Sequence, residues 1–125
     1  MGAYLAVAVG GAIGSVVRFW MTGAMTAMTG SRFPWGTLAI NILGSLVIGL
    51  VAGITLTPAR MGMHPDVRIF FMTGICGGFT TFSAFSLQTL ELIQTGDLAP
   101  AFGYILGSVA LCLFAVWGGW CLARL

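Results

Sequence analysis

Lysine is absent from this chain. Five arginines, two aspartates and one glutamate carry all its permanent charge, 6% of 125 residues. Soluble domains carry about 25% charged residues. The shortage excludes a soluble monomer and a charged disordered tail. A formal charge of +2 comes from isolated arginines rather than a basic run, which excludes nucleic-acid binding through a charged surface. Histidine occurs once, as His64 in a polar loop, and reads as a loop residue rather than a metal or pH site. The cysteines Cys76, Cys112 and Cys121 form no C-x-x-C pair. They read as small apolar packing residues. There is no Ser-His-Asp set, metal cluster or phosphate loop, so an enzyme is not expected.

Apolar residues are what the chain has in quantity. Hydrophobic side chains make up 58% of it, and the mean hydropathy is +1.03. The stretches 33–59, 69–90 and 98–123 hold no charged residue, and only Arg18 and Arg32 interrupt residues 1–32. A membrane-crossing helix needs about 20 mostly apolar residues. The pattern predicts an all-α membrane protein of four transmembrane helices, near 3–24, 36–56, 68–92 and 99–123, in one domain over 1–125. The first stretch lacks a basic leading segment and is too long for a secretory signal, so it is expected to remain. Short loops join the spans: 26–35 with Gly30 and Pro34, 57–67 with Pro58, His64 and Pro65, and a Gly96-Asp97 turn.

Four spans put both termini and the 57–67 loop on one side, with Arg60, Arg68 and Arg124. The other side has Arg18 and Arg32. Arginine excess normally sets orientation. Three against two is nearly balanced, so insertion both ways is expected, and a dual-topology chain can pair as an antiparallel homodimer. The G-x-x-x-G pairs Gly10/Gly14, Gly49/Gly53, Gly74/Gly78 and Gly103/Gly107 predict close helix packing in lipid.

Polar residues within apolar spans are costly unless paired. Thr37, Asn41 and Ser45 recur every four residues and form one stripe on the second helix. Asn41 offers two N–H donors and one acceptor. It either ties helices together or lines a pathway. In the third span, Gly77-Gly78-Phe79-Thr80-Thr81 favours a helix broken in mid-membrane; the other reading is a kinked helix packed through glycines. A break presents carbonyls suited to a cation and N–H groups suited to an anion. Phe82, Phe85, Ser86 and Thr89 then share a helix face. Aromatic edges are positive and can solvate an anion; a phenylalanine stripe also serves as ordinary core. Tyr104 and Ser108 lie one turn apart on the fourth helix.

Phe33-Pro34-Trp35-Gly36-Thr37-Leu38-Ala39-Ile40-Asn41, Gly77-Gly78-Phe79-Thr80-Thr81-Phe82-Ser83-Ala84-Phe85-Ser86 and Arg18-Phe19-Trp20 together resemble the small fluoride channels of the Fluc/CrcB family. The resemblance covers the whole chain. It implies passive fluoride export through an antiparallel dual-topology homodimer with two pores, in a bacterial inner membrane. It also implies a structural sodium ion at the dimer centre, held by the main-chain carbonyls of Gly77 and Thr80. The pathway residues it implies are Asn41, Phe82, Phe85, Tyr104 and Ser108, with Arg18 in the vestibule. The chain departs from relatives at Phe79 (Leu there) and Ala84 (Thr there). Cys112 and Val116 interrupt their hydroxyl row after Ser108.

The physics agrees with that implication. A bare ion in low dielectric costs on the order of tens of kcal/mol, so a fluoride pore must supply several neutral donors yet release the ion. The competing reading is a small dual-topology proton-coupled exporter. Such a protein needs a membrane-embedded acid, and residues 1–18 contain none.

Overall fold

The computed structural model describes residues 2–55 and 63–125. Pro58, Arg60 and the last residue of the second expected span lie outside these. The described part is helical. Four helices are long and apolar enough to cross a membrane: Gly2–Thr29, Trp35–Thr55, Pro65–Gln94 and Leu98–Leu122.

Helix α1 (Gly2–Thr29) runs five residues past its expected end at 24. It stops at Gly30, whose φ of +78° suits glycine, and the Gly30 N–H donates to the Thr26 carbonyl at 2.9 Å. Helix α2 (Trp35–Thr55) starts just after Pro34, and the Pro34 carbonyl accepts from the Leu38 N–H at 3.1 Å. The third span is composite. It opens as α3 (Pro65–Ile69), with the His64 side chain accepting from the Asp66 N–H as an N-cap. It widens into a π-helical stretch, Phe70–Cys76, and returns to α-geometry as α4 (Gly77–Phe79). Two extended residues follow, and α5 (Phe82–Gln94) completes the span. After the turn at Gly96, with φ of +83°, comes α6 (Leu98–Leu122).

Glycines set the helix pairings. A Cβ on Gly14 would strike the Ile75 carbonyl and the Phe79 amide, and one on Gly78 would strike the Gly11 backbone. That holds α1 against the first half of the third span. A Cβ on Gly49 would strike Val116, and one on Gly119 would strike Leu46, which fixes α2 against α6. Three of the four expected glycine pairs therefore pack within the chain. Gly103 and Gly107 have open space beside them.

The interior holds Ile40, Leu38, Phe85, Leu92, Ala101 and Tyr104, with Phe33, Ile42 and Ile105 against it. Outward, Tyr4, Phe19, Trp20, Phe102, Phe114 and Trp117 are exposed. An apolar exterior on this scale belongs in lipid or against another chain.

Candidate functional site: a cavity at the helix break

The break falls at Thr80 (φ −81°, ψ 159°) and Thr81 (φ −153°, ψ 116°). Gly77 and Gly78 stay helical. Gly78 thus serves close approach to α1, and the threonines make the interruption. β-Branched residues accept the extended conformation readily. Each also satisfies backbone through its hydroxyl. Thr80 Oγ1 donates to the Cys76 carbonyl at 2.9 Å, which also takes the Thr80 N–H at 2.9 Å. Thr81 Oγ1 accepts from the Ala84 N–H at 3.2 Å and so caps α5.

Asn41 completes the break. Its Oδ1 accepts from the Thr81 N–H at 2.8 Å, and its Nδ2 donates to the Thr81 carbonyl at 3.1 Å. The side-chain amide stands in for a neighbouring strand's peptide, giving the half-buried Thr81 N–H and carbonyl a partner each. A primary amide has two N–H bonds, so one donor is left over. Asn41 ties α2 to the third span, and it also borders the cavity described next.

A carbonyl in an α-helix accepts from the N–H four residues on. For Gly77 that donor is Thr81, which is engaged with Asn41. For Thr80 it is Ala84, which is engaged with Thr81 Oγ1. Both carbonyls therefore lose their helical partners. The Gly78 carbonyl receives the Ser15 hydroxyl at 3.5 Å. The end of α4 is rich in free acceptors, and the start of α5 in free donors.

A cavity of about 470 Å³ opens at this point. Asn41, Thr80, Phe82, Phe85, Ser108 and Gly77 all line it. Six of the eight expected site residues thus converge from α2, the break and α6. Ser108 is 6% exposed, and its Oγ has no hydrogen-bond partner among the described residues. A buried hydroxyl without a partner costs about 1–3 kcal/mol. The Phe82 and Phe85 rings lie 5.3 Å apart at 44°. Phe85 is buried, whereas Phe82 is 77% exposed in the single chain.

The other two residues lie off the cavity wall. Tyr104 is buried between Phe85, at 5.1 Å, and Phe33, at 5.5 Å. Its hydroxyl donates to Gln88 Oε1 at 3.1 Å. Gln88 lines a second cavity of about 430 Å³, which also holds Arg32, Glu91 and Asp97. Tyr104 therefore stands between the two spaces. Arg18 is half-buried within α1, well short of its end, because α1 is longer than its hydropathy run. Ser45 also lines the main cavity, and the four-residue stripe with Asn41 was its signal. Ser15 and Gln88 carried no comparable signal; the role of each depends on which helix faces it.

A family model described as CrcB-like protein, Camphor Resistance (CrcB), matches residues 5–120. The chain belongs to the CrcB family. Several curated CrcB-family relatives are named fluoride-specific ion channel FluC. That of Opitutus terrae is 51% identical over 119 residues, spanning 95% of this chain and 90% of the relative. That of Paramagnetospirillum magneticum is 52% identical over 116 residues, 93% of this chain and 91% of the relative. That of Rhodospirillum rubrum is also 52% identical over 116 residues, covering 93% and 90%. The family is one of ion channels, not enzymes, and with four candidate spans this member is a multi-pass membrane protein.

Proposed function

We propose that the chain is a fluoride-selective channel that exports the ion passively across the inner membrane. The observation that carries this reading is the cavity at the break. It gathers a spare amide donor on Asn41, the unpartnered hydroxyl of Ser108 and the adjoining rings of Phe82 and Phe85. These groups are neutral. Each is a weak partner for fluoride, and several together replace its water while still allowing release. Ring edges add positive potential without a fixed charge. Tyr104 holds the inner side of Phe85 and joins the cavity to the mouth that contains Arg32. Arg18 raises the local anion concentration at a vestibule.

In this reading the working unit is an antiparallel dual-topology homodimer with two pores. Phe82, highly exposed in one chain although it lines the cavity, is covered in the dimer. The main-chain carbonyls of Gly77 and Thr80 would hold a structural sodium ion. They fit it because hard cations take oxygen ligands, and these two oxygens have lost their helical donors. Bound there, sodium supplies positive charge at the interface. Fluoride efflux from liposomes containing the purified protein tests the reading: fluoride leaves quickly in sodium, and Asn41→Asp stops it.

A further inference from the structure

Three sulfur-bearing side chains share the cavity at the break. Met72 and Cys76 lie one helical turn apart on the first half of the third span, and Cys112 lies one turn beyond Ser108 on α6; all three line the same 470 Å³. Cys76 is buried, Cys112 is half-buried, and Cys121 is exposed elsewhere on α6. A thiol packed into a filled core has nothing to react with. Cys76 and Cys112 instead border a space large enough for a small solute, next to the unpartnered Ser108 hydroxyl. Two thiols and a thioether on one wall set are soft donors, and soft donors select thiophilic metals over hard cations such as sodium.

We propose that this cavity is also a soft-metal site, in which Cys76 and Cys112, beside Met72, take up a thiophilic metal that plugs the fluoride route. Mercury(II) chloride is the suitable probe, since it is neutral and reaches groups within a membrane. Each thiol gives up its proton as its sulfur bonds to mercury, and each new Hg–S bond replaces an Hg–Cl bond. Bridging the two cysteines therefore releases two protons and two chlorides and oxidises neither sulfur. The binding stands on the cavity alone; the block rests on the conduction route proposed above.

The test uses the full chain in liposomes with Cys121→Ala, which removes the exposed thiol. Bound mercury is read by intact mass after desalting, and fluoride efflux is read before and after exposure in the same preparation. One mercury per chain, with efflux falling at least tenfold and returning on addition of a dithiol, is the expected result. Adding Cys76→Ala and Cys112→Ala should abolish mercury retention and make efflux the same before and after exposure. The isosteric Cys112→Ser alone should weaken retention without disturbing the packing. A conducting Cys121→Ala protein that retains no mercury overturns the site. Retained mercury with unchanged efflux overturns the block. A protein that retains mercury but never conducted beforehand supports the site and refutes the conduction reading instead.

Discussion

Replacing Asn41 by Asp changes one atom group and reverses the chemistry at the break. The Nδ2–H bond to the Thr81 carbonyl, 3.1 Å long, becomes an oxygen facing an oxygen. The Thr81 N–H keeps its acceptor. Losing the bond and leaving the carbonyl unsatisfied costs about 1–3 kcal/mol. The new charge costs the permeating ion more. Two negative charges about 4 Å apart repel by about 4 kcal/mol at an effective dielectric of 20, roughly a thousandfold in rate. Asn41→Leu separates the two effects, because it removes both bonds and adds no charge. Efflux from liposomes at neutral pH should fall by about three orders of magnitude in Asn41→Asp. It should fall by a smaller factor in Asn41→Leu. Size-exclusion elution and melting temperature establish that both variants are folded. A folded Asn41→Asp protein that keeps more than a tenth of wild-type efflux would refute the placement of Asn41 on the route.

Phe82→Leu and Phe85→Leu should each cut fluoride efflux at least tenfold, because leucine has no positive ring edge; unchanged efflux in both would return these rings to a packing role. Ser108→Ala removes a buried hydroxyl that has no partner among the described residues, so stability should hold or rise, by up to about 1–3 kcal/mol, read as an unchanged or higher melting temperature, while efflux drops. Equal efflux with higher stability would take Ser108 off the pathway. Gly14→Val drives a side chain into the Ile75 carbonyl and Phe79 amide; overpacking of this kind costs about 1–3 kcal/mol, measurable as a lowered melting temperature, whereas Gly103→Ala, with open space beside it, should cost much less.

Hydropathy made the four spans legible because lipid demands long apolar helices with few charges. Their ends were less so. Helix α1 continues to Thr29 through Met25, Thr26, Ala27 and Met28, none of which breaks a helix; Gly30, not hydropathy, ends it. The interruption of the third span was expected within Gly77-Gly78-Phe79-Thr80-Thr81, and the extended residues are the two threonines at its end. Glycine lowers helix propensity, but here its missing side chain serves contact with Gly11. What fixes the break is a partner from another helix, Asn41, and no local pattern shows that. The cavity lining was legible where periodicity applied: Asn41 with Ser45, Phe82 with Phe85, and Ser108 all reach one cavity, although Thr37 and Tyr104 of the same patterns do not line it. Tyr104 and Gln88 are paired across sixteen residues, a contact set by the α5–α6 turn rather than by spacing. Gly103 and Gly107 have no neighbour within 4 Å among the described residues, so that expected pair does not pack within the chain as the other three do.

Selective transport is the central claim, and its most direct test is paired anion efflux. Purified protein in liposomes loaded with fluoride or chloride is placed in sodium buffer, and each ion is followed with its own electrode. The account predicts rapid fluoride release with chloride release no faster than from protein-free liposomes. Equal release of both ions, or no fluoride release from folded protein, would contradict it.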